Sequence, residues 1–226
     1  LMRSALLLLS VAATVLTSRA APQVTSEMPA VPRGSIRADI VGARASLALR
    51  LYRMDRYEES VAEWDGILEI ASDPGDRARA YRWRGECLLA LDQPGEAVYS
   101  FRVVVDHFRV SPYFAWALYG EGRARLLLGD APEALAIFAR VLSNFPAHDV
   151  ADNALYWVGE ANLQMGRPDR AHVAFQRVLD GYPTGGKADA ARFKIAMIRG
   201  LPTSSGVTKT VTVVQPGGVV VTREKK

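Results

Sequence analysis

The chain has 226 residues, 49% of them apolar and 23% charged, which suits one domain or two small ones with a substantial core. The formal net charge is +4, and two of the basic residues, Arg3 and Arg19, lie within an acid-free first twenty residues. The remaining chain carries 26 basic against 24 acidic residues, scattered along its length, which argues against a nucleic-acid footprint. A lone cysteine, Cys87, excludes an intramolecular disulfide framework, and His107, His148 and His172 are too few and too dispersed for a metal cluster.

Residues 2–20 read MRSALLLLSVAATVLTSRA. Arg3 is a short basic start, Ala5 to Leu16 is a twelve-residue apolar run, and Ser18 and Ala20 are small residues before a cut at Ala21. These are the three parts of a cleavable secretory signal peptide, and the run is short of the roughly 20 residues a membrane span needs. No cysteine follows the cut, so a lipoprotein signal is not expected. Residues 21–35 hold three prolines without periodicity and read as a linker.

From there the sequence repeats with a period of 37. Ala48, Gly85, Gly122 and Gly159 form one column, continued by Ala196. Ser60, Ala97, Ala134 and Ala171 form a second, and Trp64, Phe101, Phe138 and Phe175 a third. Ile67, Val104, Val141 and Val178 form a fourth, and Leu68, Val105, Leu142 and Leu179 a fifth. The small, aromatic and aliphatic columns are spaced i, i+4, i+7, one face of a helix. Small residues belong where two helices of a hairpin touch, and the aromatic fills the space between hairpins. Turn signals at Asp55-Arg56, Asp92-Gln93-Pro94, Gly129-Asp130 and Gly166-Arg167-Pro168 separate the two helices of each unit. The pattern predicts helix pairs at 36–53/57–71, 76–91/94–108, 112–128/131–144 and 150–165/168–180, and a single capping helix at 185–199. Residues 201–226 break the period. Val207–Val214 and Val219–Thr222 are rich in β-branched residues around the turn signal Gln215-Pro-Gly-Gly218. A flexible tail is expected there, with a short β-hairpin as the alternative; either form could add a strand to a partner's sheet edge.

The early small residue, then alanine, then aromatic, then proline, resembles the tetratricopeptide repeat. The fourth unit, ADNALYWVGEANLQMGRPDRAHVAFQRVLDGYPTGGKADAA, carries the resemblance furthest. Its Tyr-Trp-x-Gly-Glu-Ala, Ala-Phe-Gln-x-Val-Leu and Tyr-Pro-x-x-x-Lys-Ala-x-x-Ala pieces are similar to the C-terminal repeats of the periplasmic Tol-Pal-associated cell-division coordinators (CpoB/YbgF type), over residues 78–199. The resemblance implies an all-α, right-handed tetratricopeptide-repeat solenoid of about four hairpins over residues 36–200. It implies a non-catalytic periplasmic adaptor in a Tol-Pal-like envelope or cell-division complex. The alternative is a scaffold for outer-membrane protein assembly, secretion or surface-polymer export.

The resemblance further implies that first helices line a concave groove, with contacts at Tyr52, Arg53, Arg79, Arg82, Glu86, Trp116, Tyr119, Arg123, Asn153, Tyr156 and Glu160. In that reading Trp116, Tyr119 and Tyr156 are apolar anchors, and Arg79, Arg82 and Arg123 select an acidic or carboxylate-bearing segment. The competing reading packs these aromatics against the next hairpin and leaves the arginines as a solvated face. The expected partners are proteins, either envelope-complex components or an acidic or C-terminal peptide, and a homo-oligomer stays open. No nucleic acid and no transmembrane segment after signal cleavage are expected.

Catalytic readings fare poorly. Gly181–Lys187 nearly matches a phosphate-binding loop, but a helix precedes it and Ala188 stands where the hydroxyl belongs. Gly120-x-Gly122 lacks a preceding strand. Cys87 shares its column with Arg50, Ala124 and Ala161, and because the two later units carry a small helix-contact residue there it reads as a buried thiol. Glu58-Glu59 reads as a solvated helix face. No enzyme, cofactor or metal is expected.

Overall fold

The computed structural model describes residues 33–200 and the strands 212–214 and 220–222. The signal-peptide segment and all but the last three residues of the expected linker lie outside the described residues. Among those described, the helices are α1 (Arg33–Arg53), α2 (Tyr57–Ile70), α3 (Pro74–Ala90), α4 (Pro94–His107), α5 (Phe114–Leu127), α6 (Ala131–Asn144), α7 (Val150–Gln164), α8 (Pro168–Gly181) and α9 (Ala188–Ile198). The strands β1 (Thr212–Val214) and β2 (Val220–Thr222) pair antiparallel, with Val213 opposite Val221. The rest of 201–226, on which the expectation of a flexible tail also falls, lies outside the described residues.

Residues 33–200 form an all-α solenoid of helical hairpins, as the period required. Each helix packs on its neighbour in sequence, and in addition α1 packs on α3, α3 on α5 and α5 on α7. First helices therefore converge and form the inner face.

The turn inside every hairpin is built the same way. Asp55, Asp92, Gly129 and Gly166 stand 37 residues apart with φ of 58°, 58°, 87° and 68°. The left-handed backbone lets the next residue donate back across the turn: Arg56 N–H to Leu51, Gln93 to Leu88, Asp130 to Arg125 and Arg167 to Asn162, at 2.8–3.0 Å. Carbonyls that the helix end would orphan are thus satisfied. Glycine takes this conformation freely and aspartate tolerates it. At the N-terminus of α3, Pro74 fills the first turn and the Asp73 carboxylate accepts from Asp76 N–H at 2.9 Å.

The core is the aromatic column. Trp64, Phe101, Phe138 and Phe175 have no solvent exposure. A Cβ at Gly85 would lie 2.7 Å from the Phe101 ring, one at Gly122 would lie 2.6 Å from Phe138, and Gly159 meets Phe175 in the same way. Phe101 is also covered from the next hairpin by Gly120, where a Cβ would come to 2.5 Å. Phe101 thus joins its own hairpin to the following one. In the first unit, the Ser60 hydroxyl donates to the Ala48 carbonyl at 2.9 Å and receives the Cys87 thiol at 3.2 Å. Burial pushes the Cys87 thiol up, the opposite of what a nucleophile needs. At the far end α9 buries Ala191 and Ile195 against α8, and Ala196 keeps the register of the small-residue column.

One buried carboxyl makes the fold pH-sensitive. Burial holds Glu121 above the ordinary carboxylate range, against the opposing pull of Arg102 at 3.8 Å. A raised carboxyl keeps its proton more tightly in the folded chain, so its ionisation weakens the fold as pH climbs from the ordinary value through the raised one. Glu121→Gln is expected to raise stability at pH 7 by up to about 1 kcal/mol and to change little near pH 4. Thermal denaturation at the two pH values checks this, and a variant less stable at pH 7 would show that the pairing with Arg102 outweighs burial.

Candidate functional site on the inner face

The inner face carries a strip of rings and guanidinium groups supplied by α1, α3, α5 and α7. It starts at Tyr52, whose ring meets Trp83 edge-on at 5.3 Å. The Arg82 guanidinium lies 3.9 Å over Trp83 and 5.2 Å from Trp116, bridging two hairpins. Trp116 meets Tyr119 at 6.4 Å. The Arg123 guanidinium sits 5.5 Å from Tyr119 and 5.7 Å from Trp157. Tyr156 continues the strip beyond Trp157 at 6.0 Å, and Lys187 Nζ stands 5.4 Å from the Tyr156 ring.

Glu86 ties the middle of the strip together. Its carboxylate takes Arg123 Nη1 at 3.0 Å and Arg82 Nη2 at 3.7 Å. Glu86 and Arg123 occupy the same place in consecutive repeats, 37 residues apart. One carboxylate between two guanidiniums leaves the cluster net positive. Burial lowers the Arg82 pKa, while for Arg123 the Glu86 carboxylate overcomes burial and raises it. Both guanidiniums stay charged at any physiological pH. Their Nε groups, and that of Arg79, are buried without a hydrogen-bond partner among the described residues.

The roles expected from sequence redistribute here. Trp116 and Tyr156 are half-buried. Tyr119 is only 5% exposed and is an internal strut instead: its hydroxyl accepts from Trp157 Nε1 at 2.8 Å, and burial pushes its pKa up to about 12. Arg82, at 9% exposure, is sandwiched between indole rings rather than offered to a ligand. Glu86 is buried beside it. Arg79 keeps an exposed edge beside Asp76 at 3.4 Å. Arg53 is solvent-exposed at the end of α1. Asn153 is spent on its own turn, donating to Asp149 O at 3.1 Å and to Asp152 Oδ1 at 2.9 Å. Glu160 is paired with Lys194 at 2.8 Å. Tyr119 therefore packs against the next hairpin through Trp157, Arg82 is buried, and Arg123 keeps a partly exposed edge beside Glu86.

Trp83 and Trp157 escaped the sequence reading. They share a column 37 residues from Gly120 on either side, so periodicity alone could have flagged them. In the third unit glycine at that place opens room for Phe101; in the second and fourth an indole occupies it, Trp83 stacked on Trp64 at 6.5 Å and Trp157 donating to the Tyr119 hydroxyl.

Among the described residues, no group of three or more His, Cys, Asp or Glu side chains is placed to hold a metal ion. No described helix is long and apolar enough to cross a membrane.

The family model described as tetratricopeptide repeat matches residues 46–112 and 119–186, more than half of the chain. No curated protein matches the sequence. Among solved structures, MamA from Desulfovibrio magneticus RS-1 is 20% identical, with a TM-score of 0.57 over 71% of this chain and 84% of that one. The pilF protein of Pseudomonas aeruginosa is 18% identical, with a TM-score of 0.59 over 72% of this chain and 68% of that one. A tetratricopeptide-repeat protein from Parabacteroides merdae is 16% identical, with a TM-score of 0.55 over 72% and 61%. At these identities the likeness speaks for the fold.

Proposed function

The chain belongs to the tetratricopeptide-repeat family, and from that premise we propose that it is a non-catalytic adaptor of the bacterial periplasm, within a Tol-Pal-like envelope complex active in cell division. Its fold is that of a protein–protein interaction adaptor. The observation that carries the reading is the inner-face strip, in which partly buried rings alternate with guanidiniums held by Glu86. Aromatics and arginines fixed in place are the composition of binding hot spots, and their rigidity reduces the ordering lost on association. Export rests on residues 2–20, whose basic start, apolar run and small-residue cut are those of a secretory signal.

The strip also bears on which segment is held. Trp116 and Tyr156 supply apolar contact, while the net positive cluster at Arg79, Arg82 and Arg123 favours an acidic stretch or a terminal carboxylate. Arg79 and Arg123 are the arginines with open edges, so selectivity falls mainly on them. Trp116→Ala combined with Tyr156→Ala is expected to weaken binding to purified Tol-Pal components by about 2 kcal/mol, roughly thirtyfold. Titration calorimetry on a variant with an unchanged melting temperature measures it. Full affinity in that variant would remove the inner face from the interface. Binding to outer-membrane assembly or export proteins in place of Tol-Pal components would favour the scaffold reading.

A further inference from the structure

A second site lies at the rim of the inner face, beyond the basic cluster. The connections from α6 to α7 and from α8 to α9 border an open cavity of about 510 Å³ whose lining includes Trp116 and Tyr182. Its lining contains two carboxylates, Asp149 and Asp152, and no lysine or arginine. Neither carboxylate forms an ion pair among the described residues. Asp152 is 9% exposed. Its Oδ1 accepts from Asn153 N–H at 2.6 Å and from Asn153 Nδ2 at 2.9 Å. Oδ2 takes no hydrogen bond from the described residues and stays open to the cavity. A charged carboxylate buried to this degree ordinarily has a cationic partner.

The surroundings keep that oxygen available. A Cβ at Gly185 would stand 2.8 Å from Asp152 Oδ2, so glycine there is what leaves it uncovered. His148 meets Trp116 edge-on at 5.7 Å, and its Nδ1 accepts from Val150 N–H at 3.2 Å. Lys187, in the α8–α9 connection, directs its ammonium to the Tyr156 ring instead.

We propose that this cavity receives a lysine or arginine side chain of the polypeptide held on the inner face. The inference rests on the adaptor reading and makes the partner dipolar: an acidic group toward Arg79 and Arg123, a basic one at Asp152. A carboxylate oxygen with a free lone pair takes an ammonium or guanidinium in a charge-assisted hydrogen bond. Trp116 and Tyr182 in the lining add apolar contact for the stem of such a side chain. A hard metal ion would need six or more oxygen ligands and has no use for the indole.

The test uses the full chain and a probe that needs no partner protein. N-acetyl-lysine-N-methylamide and its neutral analogue N-acetyl-norleucine-N-methylamide are titrated while the Trp116 indole and Gly185 and Gly186 amide resonances are followed by NMR. Saturable shifts with the lysine derivative, absent with norleucine, are expected. Asp152→Asn, which preserves the acceptor for Asn153, should weaken the response about tenfold. Gly185→Ala, which covers Oδ2, should do the same and serves should Asp152→Asn fail to fold. Equal response to both compounds, no response at tens of millimolar, or shifts unchanged in both variants would overturn the proposal. A silent pocket in a chain that still binds its partner rejects this inference alone; a responsive pocket in a chain that binds no partner rejects the adaptor reading alone.

Discussion

Replacing Gly122 by leucine is expected to cost about 3 kcal/mol or more, a large share of the stability of a domain this size. The reason is the distance between α5 and α6. A bare Cβ at position 122 would already lie 2.6 Å from the Phe138 ring, and that ring has no exposed edge toward which to move. The side chain can enter only by prising the hairpin open, and in a solenoid each hairpin is the platform for the next. Gly122→Ala should show the same effect at a smaller size, roughly 2 kcal/mol. Trimming the ring in that background, with Phe138→Leu, should return part of the loss, because the two changes meet at one contact and cannot be additive. Urea denaturation of the single and double variants gives the coupling directly. Strict additivity would mean the small-residue column does not set the hairpin spacing.

The second large effect is expected at Glu86. Glu86→Ala leaves the Arg82 and Arg123 guanidiniums in the strip without their shared carboxylate, and removing one partner from a buried charge cluster costs about 3–5 kcal/mol. Replacing the whole cluster should behave differently. A chain carrying Arg82→Met, Glu86→Leu and Arg123→Met keeps the volume and has no stranded charge, so its stability is expected within about 1–2 kcal/mol of the parent. Its affinity for an acidic partner should nonetheless collapse. The cluster in this account is retained for recognition rather than for stability. A triple variant that is both stable and fully competent to bind would refute that assignment.

Much of this was legible in the residues because a solenoid repeats its physics. The left-handed turns at Asp55, Asp92, Gly129 and Gly166 and the ring-on-glycine contacts recur at one spacing, so a column of letters is a column of contacts. The inner face was legible only in part. Contact positions span a wide arc of the first helix, and those at the edge of the arc roll beneath the neighbouring hairpin. Tyr119 and Arg82 are such positions, and a single repeat read alone gives no hint of what will cover them. The alternation Glu86, Arg123, Glu160 in one column did contain a warning that these charges answer one another across repeats. Asp152 gave less signal. Its column holds Ala78 and Ala115, and nothing in the pattern marks a position where an alanine core site has become a buried acid.

The most direct test of the adaptor account is site-specific photocrosslinking in living cells. A photoreactive residue is placed at Trp116 on the inner face and, as a control, at exposed Arg140 on α6. The account expects adducts from position 116 with envelope proteins of the Tol-Pal system and none from position 140, on a chain whose mature end begins at Ala21. Equal labelling from both faces, or adducts with cytoplasmic proteins on an uncleaved chain, would contradict it.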